Sequence, residues 1–144
     1  MPDMQLYYFK NKKHIKEIQK LYRSSPAGAY IILNRRSKRK KLPICSLKEF
    51  SAWYTKTEKI CYYCKIPENK LKFLNISKLF KKRFTIDKKI PHYGYIINNI
   101  AFSCNICNMI KSNYFSTEEM LALAKDYITP KWKLMLQNKH INIS

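Results

Sequence analysis

The sequence predicts an α+β fold built around a strand, a loop, a second strand and a helix within residues 84–111. Three observations lead to this prediction. A short β-prone run ends in Asp87, a loop turns at Gly94, and a Cys-x-x-Cys pair opens the next helix at Cys104. Helical patterns on either side of this unit predict that N- and C-terminal helices wrap it.

The chain is unusually basic for its length. Its 144 residues include 29 Lys and Arg but only 9 Asp and Glu, which gives a net charge of +20. Such a field attracts polyanions, so nucleic acid is the expected partner, with a merely charged and soluble surface as the alternative. Hydrophobic residues make up 46% of the chain, which argues against global disorder.

Neither a membrane span nor a secretory signal is expected from the sequence. No stretch approaches the roughly 20 apolar residues of a transmembrane helix, and the N-terminal residues have no apolar core. No segment is clearly a basic amphipathic helix with a broad apolar face, so we expect no membrane partner. The expected location is intracellular and non-secreted, in a cytoplasm, a nucleoid or an organelle matrix, where thiols stay reduced.

Helices are expected before and after the central unit. Apolar residues at helical spacing, Ser-x-x-Glu capping boxes and prolines mark where they begin and end. The expected helices are 12–23, 27–40, one opening at Ser46, a short one within 71–80, one from Ser116 to near Pro130, and a last one including Trp132 and Leu136.

Other local predictions concern strands and single residues. Segment 42–45 reads as extended, and 83–86 reads as the first strand. Cys45 lies outside both cysteine pairs and is expected to be a small buried hydrophobe. Gly94 is one of only two glycines, so the loop is expected to need its backbone freedom.

A dense run of cations ends the second helix. It consists of Arg35, Arg36, Lys38, Arg39, Lys40 and Lys41. These like charges repel one another, and they are best explained by phosphates, because each neutralised phosphate releases counterions. The alternative is a solvated helix end that the helix dipole favours.

The chain contains two Cys-x-x-Cys pairs, Cys61 with Cys64 and Cys104 with Cys107. Such turns point both sulfurs at one place, and two of them supply the four soft ligands of tetrahedral zinc. We therefore predict a structural Zn²⁺ site that joins the two ends of the intervening insert. The alternative is four unrelated buried thiols.

Asp87 is the only acidic residue between positions 69 and 117, a segment with nine Lys and Arg. It could pair with Lys88 or Arg83 at the surface. It could equally be the anionic ligand of a hard cation in a basic, phosphate-binding groove. Composition alone does not choose between these two interpretations.

An ordered set of motifs in and around the insert resembles the HNH endonuclease family, in the zinc-stapled branch of phage and mobile-element genes. The motifs are Ile86-Asp87-Lys88, Gly94-Tyr95, Asn99 and Cys104-x-x-Cys107-Asn108-x-x-Lys111. The resemblance covers about residues 27–128. Residues 1–26 would then be an N-terminal helical extension and 129–144 a C-terminal helix and tail, within one globular domain.

The resemblance implies a ββα-metal core that binds nucleic acid and hydrolyses phosphodiester bonds with one divalent metal. DNA is expected before RNA as the partner, although the sequence leaves both open. Asp87 and the Asn108 side-chain oxygen would hold the cation, Mg²⁺ or Mn²⁺. Asn99 would orient the catalytic base. Phosphates of the nucleic acid would be bound by the basic run at the end of the second helix and by Lys88, Lys89 and Lys111.

The position after Asp87 departs from the family pattern, because Lys88 stands where the best-known members have the general-base histidine. A lysine is a poor base unless it is desolvated, although it binds phosphate well. His92 in the loop is the candidate replacement. The alternative function is a catalytically degenerate HNH-like zinc protein that binds DNA or RNA structurally, for example in a ribosome-like nucleoprotein assembly.

Overall fold

The computed structural model describes residues 3–74, 76–78 and 80–141. Within these residues the chain forms α-helices, short 3₁₀ turns and one two-stranded sheet. The regular elements are α1 (Met4–Arg23), α2 (Pro26–Lys40), α3 (Leu47–Lys56), β1 (Thr85–Lys88), β2 (Ile100–Ser103), α4 (Asn105–Lys111), α5 (Thr117–Leu123) and α6 (Thr129–Gln137). No helix of the described residues is long and apolar enough to cross a membrane.

The strand–loop–strand–helix unit is present as expected. β1 and β2 are antiparallel, with Thr85 opposite Ser103 and Lys88 opposite Ile100, and α4 begins two residues after β2 ends. The first strand starts two residues later than the sequence predicts. The reason is that the Phe84 N–H donates to a carboxylate oxygen of Glu68 at 2.7 Å instead of joining the strand ladder.

The buried side chains form two clusters. One contains the four paired cysteines, the 3₁₀ turn at Glu68–Phe73, and α5 and α6. The other contains Leu33 of α2, Phe50 of α3 and Cys45, so the prediction that Cys45 is a small buried hydrophobe is confirmed. The stacked rings of Trp53 and Phe102, with centroids 4.6 Å apart, attach α3 to the sheet.

The helices follow the local signals with three differences. α1 starts at Met4, eight residues earlier than expected, because the Asp3 carboxylate accepts hydrogen bonds from the second and third N–H groups of the helix. Both capping boxes are formed, at Ser46 and Ser116. In the 71–80 stretch the described residues after Phe73 are not helical, and positions 75 and 79 lie outside the described residues.

The helix that starts after Ser116 does not end near Pro130. It passes through a π-helical turn, Ala124–Ile128, and continues as α6 to Gln137. A proline breaks a regular helix because its ring meets the carbonyl four residues earlier, and the wider π turn gives the ring room. The boundary expected at 128–129 therefore falls inside one helical run.

Gly94 meets the backbone demand that the sequence predicts. Its φ is +74°, and a Cβ at this position would lie 2.3 Å from the carbonyl oxygen of Pro43. The next residue, Tyr95, donates its N–H to the same oxygen at 2.8 Å and accepts from the Cys45 N–H at 2.9 Å. The close approach fixes the loop between the strands against the segment that follows α2.

Candidate metal centre and active site

The sulfur atoms of Cys61, Cys64, Cys104 and Cys107 all lie within 4.8 Å of one another, and the four residues are buried. A tetrahedral ion with metal–sulfur bonds of about 2.3 Å has sulfur–sulfur edges of about 3.8 Å. The Cys64 and Cys104 sulfurs are 3.8 Å apart. The four thiols are therefore not unrelated, and together they can bind one metal ion.

Two local structures position these thiols. After Cys61 the chain turns back so that Lys65, in the left-handed region at φ 63°, donates its N–H to the Cys61 carbonyl oxygen at 3.0 Å. Cys104 caps the N-terminus of α4, and its sulfur accepts from the Cys107 N–H at 3.4 Å. Backbone donors of this kind stabilise thiolate ligands and fix their orientation.

Asp87 lies near the end of β1 and is only 7% exposed. Its Oδ2 atom accepts a hydrogen bond from the Tyr63 hydroxyl at 2.5 Å and lies 3.3 Å from the Lys111 ammonium. Burial raises the pKa of the Asp87 carboxyl, while the Tyr63 hydroxyl and the Lys111 charge oppose that shift. The carboxylate is thus held in one orientation by two buried side chains.

Lys111 of α4 points into the protein. Its side chain is fully buried, and its ammonium also donates to the Lys88 carbonyl oxygen at 2.9 Å. The contact between Lys111 and a phosphate stays a prediction, and in this structure the buried ammonium is used inside the protein. Its role here is to tie α4 to β1.

Asp87, Lys88 and Asn108 line one cavity of about 390 Å³. Arg36, Arg39 and Lys40 of α2 line the same cavity. Burial lowers the pKa of the Lys88 ammonium, and the nearby Lys40 charge lowers it further. The cavity therefore combines one carboxylate and two amides, those of Asn108 and Asn113, with four cationic side chains.

The cationic run at the end of α2 divides between two sides of the chain. Arg39 and Lys40 follow Arg36 by three and four residues, which places both beside it on the side of the helix that lines the cavity. The other members of the run, Arg35, Lys38 and Lys41, are exposed and do not line this cavity. The sequence predicted the run as a unit, whereas the structure brings half of it to Asp87.

His92, Lys89 and Asn99 line a neighbouring cavity of about 820 Å³ rather than the cavity of Asp87. His92 is exposed, and its ring meets Tyr93 edge-on at a centroid distance of 4.5 Å. The structure therefore does not bring His92 together with Asp87 and Asn108. The two cavities adjoin, because Pro91 and Asn113 line both.

Asn99 is buried and holds the loop between the strands. Its amide nitrogen donates to the carbonyl oxygens of Ile90 and Gly94, both at 2.8 Å, and its oxygen accepts from the Ile90 N–H at 2.9 Å. The sequence predicted that Asn99 orients a base. In the structure its contacts orient the loop that carries His92.

Sequence reasoning missed two residues that support this site. Tyr63 lies between the first two cysteines, and its hydroxyl reaches Asp87, which no spacing rule indicates. Thr117 donates its hydroxyl to the Lys89 carbonyl oxygen at 2.9 Å and so anchors the end of β1 to α5. The sequence feature that could have pointed to Tyr63 is its position between Cys61 and Cys64.

Comparison with known proteins places this geometry in a fold family. A solved structure of the rare-cutting HNH restriction endonuclease PacI, which concerns a mechanism of DNA perturbation, is similar to this chain with a TM-score of 0.67. The sequences are 25% identical over 81% of this chain and 82% of PacI. The chain has the HNH endonuclease fold. No family model and no curated protein matches its sequence.

In this fold the four-cysteine cluster and the Asp87 cavity share one structural element, α4. Cys104 caps α4, and Asn108 lies one helical turn later on the same helix. Asp87 reaches this helix from β1 through Lys111. The α+β architecture with a ββα core, helices around it and a four-cysteine metal site is therefore confirmed.

Substituting Lys111 by Met should destabilise the protein by about 3–5 kcal/mol, because the change leaves the buried Asp87 carboxylate without its ion partner. The double variant Lys111→Met, Asp87→Asn should recover part of this loss, since it removes both charges. Urea unfolding of the metal-loaded protein, followed by circular dichroism, measures the coupling between the two positions. Additive losses would show that the two side chains do not stabilise each other.

Proposed function

We propose that this protein is an HNH-type endonuclease that binds DNA and hydrolyses its phosphodiester bonds with one divalent cation. The observation that supports the proposal most is the cavity in which Asp87 and Asn108 meet four cations of α2 and β1. A cavity for binding alone has no need of the carboxylate. Similarity to PacI, an HNH restriction endonuclease whose structure concerns DNA perturbation, supports DNA as the substrate.

We propose that the four-cysteine cluster holds a structural zinc ion. Four thiolates in tetrahedral arrangement are the typical ligands of structural zinc, and all four sites are taken by protein ligands. The ion would fix the Cys61–Cys64 turn to the start of α4. Its function would be structural, because no coordination position is left for substrate.

We propose that Asp87 and the Asn108 side-chain oxygen bind Mg²⁺ or Mn²⁺. The donor set fits, because carboxylate and amide oxygens are hard ligands, and such sites commonly use one carboxylate and complete the coordination with water and substrate phosphate. When bound, the cation supplies electrostatic stabilisation for the charge that develops on the phosphate. The contacts of Tyr63 and Lys111 with the Asp87 carboxylate fix the orientation in which it would bind the cation.

The cationic side chains of the cavity are assigned to the substrate backbone. Arg36, Arg39 and Lys40 reach the cavity from α2, and Lys88 reaches it from β1. A phosphate beside Lys88 would favour its charged form, so we assign Lys88 to phosphate binding rather than to proton abstraction. We do not assign proton abstraction to His92, since it lines the other cavity.

A second candidate function is structural binding of DNA or RNA without catalysis, as part of a larger nucleoprotein assembly. One observation favours it. The Asp87 carboxylate already has a buried cationic partner, Lys111, at 3.3 Å. A carboxylate that is neutralised inside the protein attracts a divalent cation less strongly. The two candidates are separated by whether the protein cleaves nucleic acid.

Wild-type protein should convert supercoiled plasmid to nicked or linear DNA when Mg²⁺ or Mn²⁺ is added, and EDTA should stop the reaction. Asp87→Asn should lower the cleavage rate by about 100-fold or more, because it removes the anionic cation ligand. DNA binding by this variant should stay equal or become tighter, since a negative charge has left a phosphate-binding cavity. Plasmid cleavage followed on agarose gels, beside binding measured by fluorescence anisotropy, separates the two effects.

His92→Ala is the matched control for this experiment, and it should keep the cleavage rate within about tenfold of wild type, less than the loss expected for a general base. Loss of activity in His92→Ala comparable to that in Asp87→Asn would place the base in the neighbouring cavity. If folded wild type cleaves neither DNA nor RNA with either cation, the endonuclease proposal is wrong and structural binding takes its place.

The purified protein should contain one zinc ion per chain, measured by plasma emission spectrometry. Structural zinc commonly contributes apparent binding free energy of about 10–16 kcal/mol, more than the stability of most domains. Cys104→Ser should therefore abolish cooperative unfolding, whereas Cys45→Ser, at the buried cysteine outside the cluster, should stay folded with zinc bound. A well-folded wild-type protein free of metal would contradict this expectation.

DNA affinity should depend on which half of the basic run is changed. Arg36→Gln, Arg39→Gln should lower the slope of log affinity against log salt by about two units, since two phosphate contacts are lost. Arg35→Gln, Lys38→Gln removes the same charge from side chains of α2 that do not line the cavity and should change the slope less. Equal effects of the two pairs, measured by anisotropy titrations at several salt concentrations, would show that position relative to the cavity does not matter.

A further inference from the structure

The cavity of about 820 Å³ that adjoins the Asp87 cavity is lined by aromatic rings, and we call it the aromatic cavity. Two exposed amides, those of Asn98 and Asn113, line it together with four aromatic side chains: Tyr62, Tyr93, Tyr114 and Phe115. His92 aside, the charged residues that line it in the described structure are Lys89 and Glu118, whose charges cancel. The aromatic cavity therefore offers flat rings and amide groups but little net charge.

Tyr114 combines a fixed backbone with an exposed ring. Its side chain is 87% exposed, whereas its N–H and that of Phe115 both donate to the Lys111 carbonyl oxygen at 3.1 Å. The Lys111 ammonium pairs with Asp87, so the backbone of Tyr114 is tied to the end of α4 that lies beside the Asp87 cavity. A tyrosine presents a large flat face with few rotatable bonds, and an anchored tyrosine in solvent is suited to a planar ligand.

The turn that leads into Tyr114 has an unfavourable backbone conformation. Ser112 has φ 43° and ψ −135°, in a region that favours glycine. Side-chain-bearing residues keep such conformations only where the surrounding structure imposes them, and they cluster at ligand-binding sites. Ser112 lines the Asp87 cavity, and the next residue, Asn113, lines both cavities. The strained turn therefore lies at the junction of the two cavities.

The two cavities match the two chemical parts of a nucleotide. The four cations of the Asp87 cavity suit a phosphate, whereas the aromatic cavity suits an uncharged, flat base whose edge carries hydrogen-bond donors and acceptors. Pro91 and Asn113 line both cavities, so one nucleic-acid strand can occupy them together. In a duplex only the base edges are open to the grooves, because the base faces are stacked on their neighbours. Aromatic side chains inside a cavity can therefore stack only on a base that has left the helix.

We propose that the aromatic cavity binds one unpaired base of the strand whose phosphate lies in the Asp87 cavity. Tyr114 stacks on the base, and the amides of Asn98 and Asn113 meet its edge. This inference rests on the DNA binding proposed above, and it names the preferred substrate as DNA with an unpaired base beside the bound phosphate. Extracting a base from a perfect duplex costs its pairing and stacking energy, whereas a base that is already unpaired costs less. The protein should therefore bind such DNA in preference to a perfect duplex.

Fluorescence anisotropy with the purified full-length protein tests the proposal, without added Mg²⁺ or Mn²⁺ so that binding alone is measured. Three labelled DNA probes share one sequence: a fully paired duplex, the duplex with one extra unpaired adenine, and the duplex with an abasic nucleotide in place of that adenine. The adenine probe should bind about tenfold or more tightly than the paired duplex, as expected for one stacked base. The abasic probe keeps the extra backbone but has no base, so its affinity should lie within about threefold of the paired duplex.

Two exposed tyrosines provide a matched pair of substitutions. Tyr114→Ala should weaken binding of the adenine probe by about tenfold and of the paired duplex by less than about threefold. Tyr114→Phe keeps the ring and should bind as the wild type does. Tyr127 is 75% exposed and lines neither cavity, so Tyr127→Ala should change neither affinity. Far-UV circular dichroism checks that each variant is folded.

Three results would overturn the proposal. Equal binding of the adenine and abasic probes would show that the protein recognises a flexible backbone rather than a base. Equal binding of the adenine probe and the paired duplex would show no preference at all. Equal effects of Tyr114→Ala and Tyr127→Ala would show that the aromatic cavity does not hold the base.

These outcomes are distinguishable from those of the endonuclease proposal, because no cleavage is measured. A protein that cleaves plasmid without preferring the adenine probe would leave the endonuclease proposal standing and overturn this one. A protein that binds the adenine probe through Tyr114 but cleaves nothing would do the reverse. Failure to bind any of the three probes would overturn both the DNA binding and the base site.

Discussion

The placement of α4 depends on two anchors of different chemistry. At its N-terminus Cys104 joins the cluster of four thiols, and near its C-terminus Lys111 pairs with Asp87 of β1. A seven-residue helix cannot hold its own position in water, so these two contacts determine where its side chains lie. Asn108 lies between the anchors, and the geometry of the cavity follows from them.

Besides α4, the side chain of Tyr63 links the thiol cluster to the cavity. Tyr63 lies between Cys61 and Cys64, yet its hydroxyl donates to Asp87. The turn that presents two sulfurs therefore also orients the carboxylate. A buried ion pair such as Asp87 with Lys111 is weak evidence for stability, but together with this hydrogen bond it restricts the carboxylate to one arrangement.

Local signals in the sequence predicted the parts of the fold that depend on near neighbours. The capping boxes at Ser46 and Ser116 formed because they need only residues three positions apart. Cysteine spacing predicted the four-cysteine cluster, and the scarcity of glycine predicted that the loop needs the backbone freedom of Gly94. The order of the motifs predicted the HNH fold, which the similarity to PacI confirms.

Contacts between distant residues account for what the sequence did not predict. The start of β1 moved because Glu68 takes the Phe84 N–H across 16 positions. The pairing of Lys111 with Asp87 spans 24 residues, so no local pattern in the sequence indicates it. Helical periodicity shows which cations of the basic run of α2 are neighbours on the helix surface. It does not show which of them line the cavity, because that depends on the tertiary structure.

The π-helical turn between α5 and α6 has a consequence for the register of the C-terminal core. The buried residues of this run recur at every fourth position: Met120, Ala124, Ile128, Trp132 and Leu136. In a regular helix each such step rotates by about 40°, so four steps would carry the last residue about 160° away from the first. Five residues in a π turn of about 4.4 residues take back roughly 90° of that rotation.

The π turn at Ala124–Ile128 thus keeps the buried residues, four positions apart, on one side of the helical run. That side packs against the four cysteines. The first residue after the turn, Thr129, donates its hydroxyl to the Cys64 carbonyl oxygen at 2.9 Å. Winding residues 124–128 as an ordinary α-helix of the same length would turn Trp132 and Leu136 away from their present direction by about 90°. At this point of the chain the irregular helix is the better-packed one.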